Sequence, residues 1–161
     1  MNKFISAHAI GFGLYNTIHT TNLVMNGIPE RFPDLKIIII ENGLAWIPWL
    51  MQRLDNEYGM RTNEAPLLKK RPSDYLRENF YYSTQPIEMD HMEALELTMK
   101  MINADSQLMF TSDYPHWDFN LPSTIYDLPF LSRDTKLNIL GRTALKVFPK
   151  LGAEVEQAAR S

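Results

Sequence analysis

Lys36-Ile37-Ile38-Ile39-Ile40-Glu41 is the stretch that decides the fold. Four β-branched residues in a row, with no polar alternation, mark a strand buried on both faces, as in parallel sheets. Downstream, Leu44, Ile47, Leu50, Met51, Leu54 and Tyr58 recur at helical spacing. Pro48 falls early in that helix, where the first-turn amides lack partners anyway. Upstream, Tyr15, Ile18 and Leu23 form a looser stripe that predicts a helix over 15–25, closed by Gly27. Residues 28–33 read as a turn region bounded by prolines.

The same alternation continues to the end of the chain. Residues 59–76 read as a polar loop in which Ser73 can cap a short helical turn. Phe80-Tyr81-Tyr82-Ser83-Thr84 is a second strand, stopped by Pro86. Met92, Leu95, Met99 and Ile102 line one face of a helix, with the methionines as core filler. Leu108 to Ser112 is a third strand. Ser132 caps a last helix whose first part ends near Gly141, and a second piece runs to Phe148 before Pro149 stops it. Strands alternating with helices imply parallel pairing and an α/β fold. Parallel strands put their carboxyl ends on one edge, so Glu41, Ser83 with Thr84, and Asp113 share a rim.

That rim directs attention to Phe110-Thr-Ser-Asp-Tyr-Pro-His-Trp-Asp118. An apolar run ends in Asp113, and a proline-stiffened aromatic loop carrying His116, Trp117 and Asp118 follows at once. A carboxylate at such a position can bind a metal, take a proton or orient a water. It can equally start a tight turn. Glu41 can serve the same chemistry or simply cap the next helix. His8 reads as a loop residue near the rim, His19 as a structural residue of its helix, and His91 as exposed in the first turn of its own.

Composition narrows the classes. The chain has 161 residues, 45% hydrophobic and 22% charged, which suits one globular domain over 1–161. Its net charge of −3 gives no reason to expect a nucleic-acid or anionic-membrane partner. Lys69-Lys70-Arg71 is a short solvated cluster. There are no cysteines, which excludes disulfides, thiolate zinc sites and cysteine nucleophiles and is compatible with a cytoplasmic location. No stretch is long and apolar enough to span a bilayer. The apolar region before Ala7 is too short for a secretory leader. Gly11-Phe12-Gly13 lacks the third glycine of a dinucleotide fingerprint.

Several motifs taken together resemble a known family. They are Phe32-Pro33-Asp34-Leu35-Lys36 leading into Ile37–Ile40, then Glu41-Asn42-Gly43, Trp46 and Arg53-Leu54-Asp55. Pro72-Ser73-Asp74-Tyr75, Gln85-Pro86-Ile87-Glu88, Ser112-Asp113-Tyr114-Pro115-His116 and Ile139-Leu140-Gly141 complete the set. The combination is similar to the amidohydrolase-related family of metal-dependent (β/α)8 barrels, on its aminocarboxymuconate-semialdehyde decarboxylase-like side. The resemblance implies a hydrolase or carbon–carbon lyase that uses a divalent metal, zinc or manganese, on a small carboxylated or aromatic substrate.

It also implies that Asp113 is the metal-ligating aspartate after the last barrel strand. Glu41 stands where the decarboxylases carry a catalytic histidine, and is expected to handle a proton. His8, Trp46, His116 and Trp117 are expected to line the substrate pocket. The family's histidine ligands after the first and fifth strands have no counterpart in this sequence. A complete barrel needs ~250 residues and at least ~200. The expectation is therefore a partial TIM barrel, about the last three strand–helix units of eight. It would be inactive alone and would act as a homo-oligomer or with the missing N-terminal half. The alternative is a catalytically incomplete fragment that serves only as a self-associating or partner-completing module.

Overall fold

The computed structural model describes residues 2–158. Its sheet has three strands, β1 (Ile37–Ile39), β2 (Phe80–Ser83) and β3 (Leu108–Met109), in the order β1-β2-β3. Both pairings are parallel, with Ile37 opposite Phe80, Ile39 opposite Tyr82, and Tyr82 opposite Leu108. Helices fill the crossovers. They are α1 (Phe4–Met25) and α2 (Ile28–Arg31) before the sheet, and α3 (Trp46–Met60) and α4 (Pro72–Glu78) between β1 and β2. Helices α5 (Met92–Met101) and α6 (Ala104–Gln107) lie between β2 and β3. Then come α7 (Ser123–Tyr126), α8 (Arg133–Leu137), α9 (Thr143–Val147) and α10 (Pro149–Ala158). The parallel order and the α/β class match the sequence reading, and the architecture is that of part of a (β/α)8 barrel.

The two faces of the sheet differ. Ile39, Phe80, Tyr82 and Leu108 point into one core with Ile47, Leu50 and Met51 of α3, Leu76 of α4, and Leu95 and Met99 of α5. Each such side chain contributes about 1.5–3 kcal/mol on burial. Tyr82 is buried with its hydroxyl donating to Leu76 O at 2.8 Å, and burial pushes its phenol far above the ordinary tyrosine range. The other face is more open, with Ile38 of β1 and Tyr81 of β2 half-buried and Ile40, just past β1, 51% exposed. The isoleucine run is thus buried on one face only. At the far end of β3, Phe110 N–H donates to Ile139 O at 2.8 Å. Ile139 lies in a π-helical turn, Asn138–Arg142, between α8 and α9.

Several local expectations are corrected. Helix α1 starts at Phe4, not Tyr15, so His8 is helical rather than in a loop. Its inward residues are Thr20 and Val24, while Tyr15, Ile18 and His19 stand exposed. Residues 28–31, read as a turn, are helical, and the short helical turn expected at Ser73 is helix α4, Pro72–Glu78. Ser73 lies inside α4 instead of capping it, and gives both its N–H (2.9 Å) and its hydroxyl (2.7 Å) to Asp55. Met92 is 40% exposed rather than core. Pro149 opens α10 after α9 has ended, because a proline is tolerated at a first helical position. Strand β3 ends at Met109, three residues earlier than read. Gly27 does close α1, at φ +66°, and Ser132 does cap α8 by accepting Thr135 N–H at 3.1 Å.

Candidate active site

The carboxyl ends of the three strands open onto a cleft of about 800 Å³. Glu41, Asp113, His8, Trp46, His116 and Trp117 all line it. Parallel topology explains the first two, since each follows its strand within a few residues. The loop after Asp113 brings His116 and Trp117. Helix α1 crosses beside the Glu41 turn, with Gly13 facing Asn42 and Asn16 donating to the Asn42 side chain at 2.8 Å. That crossing delivers His8.

Three described non-glycine residues have positive φ, and two of them are the rim acids, Glu41 and Asp113, both at φ 60°. Such a conformation costs an L-residue roughly 1–2 kcal/mol. Gly43, two residues beyond Glu41, also sits there at φ 65°. Residues strained in this way cluster at sites where the surrounding structure holds them.

Asp113 is 13% exposed and reaches His116, whose Nδ1 lies 2.9 Å from the carboxylate. That contact, the Asp113 charge, and weaker pulls from Glu41 and Asp118 hold the His116 pKa above the ordinary histidine value, against a small opposing effect of burial. Trp46 is half-buried and anchored through Nε1 to Gly43 O at 3.1 Å. Trp117 is 82% exposed. His8 joins an aromatic group, with ring centroids 5.2 Å from Phe4, 5.9 Å from Phe12 and 6.2 Å from Trp117. The cleft therefore has an acidic floor and aromatic walls, which suits a flat ring bearing polar substituents.

Among the lining residues absent from the sequence-derived site are Glu88, Asp118, Gln85 and Trp49. Glu88 accepts Leu44 N–H at 3.1 Å and so holds the turn after Glu41. It follows β2 just as Glu41 follows β1, and the strand-end argument applied once more would have found it. Among the described residues, no group of three His, Asp or Glu is arranged to hold a metal ion. Asp113 offers one carboxylate, and a catalytic zinc ordinarily has three protein ligands. These residues alone therefore do not fit a complete metal shell.

The chain is 26% identical over 141 residues to the gamma-resorcylate decarboxylase of Rhodococcus jostii RHA1, covering 87% of this chain and 41% of that protein. To the gamma-resorcylate decarboxylase of Polaromonas sp. JS666 it is 30% identical over 105 residues, covering 65% and 31%. Among solved structures it resembles 5-carboxyvanillate decarboxylase from Sphingomonas paucimobilis, with a TM-score of 0.69, 29% identity, and coverage of 85% of this chain and 40% of that one. It also resembles the dihydroxybenzoic acid decarboxylase of Polaromonas sp. JS666, solved with manganese and 2-nitroresorcinol, with a TM-score of 0.66, 25% identity, and coverage of 85% and 40%. The chain thus spans about two fifths or less of these relatives. The amidohydrolase family pattern matches residues 4–150, and the chain belongs to that family.

Proposed function

We propose that residues 1–161 form one domain, the C-terminal share of a metal-dependent decarboxylase acting on a small aromatic carboxylate. The observation that carries this reading is the meeting of Glu41, Asp113 and His116 in one cleft walled by Trp46, Trp117 and His8. The relatives support it, since they are decarboxylases of aromatic carboxylates.

In this reading Asp113 is a metal ligand, and the other donors come from barrel strands outside this sequence. The ion is zinc or manganese, and manganese is what the Polaromonas structure holds. Loss of carbon dioxide from an aromatic carboxylate needs a proton on the ring carbon that carries the carboxylate. The carbon–carbon bond then breaks and its electron pair returns to the ring. Glu41 is the residue proposed to hold and pass that proton. His116, held by Asp113, and Trp117 line the mouth, and Trp46 and His8 bound the ring. A cytoplasmic location is part of the same proposal; separately, no described helix is long and apolar enough to cross a membrane.

A second reading has its own support. Phe4, Ile5, Leu14, Tyr15 and Ile18 of α1 and Ile40, just past β1, are all at least half exposed. In that reading the chain is a catalytically incomplete module that self-associates or completes a partner.

One experiment separates the two. The chain is supplied with Mn²⁺ and either 2,6-dihydroxybenzoate or 5-carboxyvanillate. It is assayed alone and joined to the N-terminal barrel segment of the Polaromonas enzyme. Carbon dioxide release that disappears with Glu41→Gln and with Asp113→Asn supports decarboxylation. Absence of release in every combination, with light scattering reporting a stable oligomer, favours the module.

A further inference from the structure

Glu41 and Asp113 lie on different loops, each in a backbone conformation that persists only when its surroundings over-determine it. Strand β2 lies between β1 and β3, and its carboxyl end supplies that constraint. Ser83, Thr84 and Gln85 are consecutive, and none is more than 3% exposed. Ser83 Oγ accepts Glu41 N–H at 3.1 Å and donates to Gln85 O at 3.2 Å. Thr84 Oγ1 accepts Thr111 N–H at 3.1 Å and donates to Thr111 O at 3.4 Å. Thr111 stands two residues before Asp113.

These are not ordinary ladder bonds. Strand β3 ends at Met109, and Thr84 N–H still finds Met109 O at 3.1 Å. Beyond that point a backbone can no longer serve both groups of Thr111. A hydroxyl can, because it donates and accepts through one oxygen.

We propose that Ser83 and Thr84 are positioning residues for the candidate site. Their hydroxyls fasten the backbones that carry Glu41 and Asp113 to one strand, and so fix the separation of the two acids. The proposal takes the roles of those acids from the functional reading above, while the fastening itself is independent of it.

Amide hydrogen exchange by NMR on the whole chain is the test. Thr84→Val keeps the shape and removes the hydroxyl. It is expected to speed exchange of the Thr111 amide roughly 2- to 10-fold, the range set by one lost hydrogen bond. The Glu41 amide should stay unchanged. Ser83→Ala should do the reverse, and Thr84→Ser should restore Thr111. A purely structural role would move all core amides together. Thr84→Ser behaving like Thr84→Val, or both hydroxyl deletions leaving their amides unchanged, overturns the proposal.

If Thr84→Val does not fold, the unmodified chain decides. Slower exchange at Glu41 and Thr111 than at Asn42 and Ser112, whose N–H groups have no partner among the described residues, supports the fastening, and equal exchange overturns it. In the decarboxylation assay, Thr84→Val should lower kcat about as much as it speeds exchange and leave KM unchanged. Local exchange changes without any carbon dioxide release would keep the fastening and remove the functional reading.

Discussion

Replacing Gly43 by alanine probes the turn that presents Glu41. Gly43 sits at φ +65°, and a Cβ built there collides with Glu88 Oε1. Two costs follow. An L-residue in this backbone region loses about 1–2 kcal/mol. The Glu88 carboxylate, the free end of a flexible side chain, must also swing away and give up Leu44 N–H, which it accepts at 3.1 Å. A hydrogen bond to a charged group is worth about 1.5–3 kcal/mol, and the exposure of Glu88 puts this one at the low end. Gly43→Ala should therefore cost about 3 kcal/mol, and Glu88→Ala about 1.5 kcal/mol. The two changes act on the same carboxylate, so they are not additive. The double variant should cost about as much as Gly43→Ala alone, a coupling of about 1.5 kcal/mol. Urea melts of the four proteins, compared at equal m-values, measure all three quantities. A Gly43→Ala cost below about 1 kcal/mol, or strict additivity in the double variant, would refute the reasoning.

Other expectations follow from the same contacts. His116 should titrate above the ordinary histidine value because of the Asp113 carboxylate, and Asp113→Asn should return it toward normal, as read from its ring proton shifts. Because its folded-state pKa is raised, its contribution to stability is present in full below the unfolded histidine pKa and is lost as pH rises through the folded value, with solvent exposure keeping it small. Calorimetric titration of this chain should show weak zinc or manganese uptake or none, since only Asp113 is offered as a ligand. Stoichiometric tight uptake abolished by Asp113→Asn would mean that the chain holds a complete site. Ser132→Ala should cost about 0.5–2 kcal/mol in a thermal or urea melt, through loss of the cap on α8.

The parts of this molecule that were legible in the sequence are those whose signal is local. The isoleucine run announced strand β1 through its β-branched residues, although only one of its faces is buried, and the stripe from Leu44 to Leu54 announced α3 because its period is 3.6. From these elements together with the two later strands, the shared rim of Glu41 and Asp113 follows by topology. The first half of α1 was hidden. Phe4, Ile5, Ile10, Phe12 and Leu14 surround the helix, and most of that surface is exposed, so no stripe exists to read. Helix α4 was legible only as a short turn at Ser73, for another reason. Pro72–Glu78 looks polar in sequence, and Ser73 is buried only because Asp55, eighteen residues earlier, accepts both its donors. His8 was assigned to the pocket from the right neighbourhood but the wrong element. Which face of a long helix crosses the rim is a tertiary fact, set here by Gly13 and Asn16 meeting Asn42.

The carboxylates of the cleft also govern how anything enters it. Glu41, Glu88, Asp113 and Asp118 line its wall, and no lysine or arginine does among the described residues. A cleft lined by one sign of charge focuses its field on the entrance, over a distance that salt shortens to about 10 Å at 0.1 M. Without a bound metal, an anionic aromatic acid approaching this face meets a repulsive potential, softened only at His116. Its association rate should then climb with ionic strength, the reverse of the salt dependence seen when a protein draws in an oppositely charged ligand.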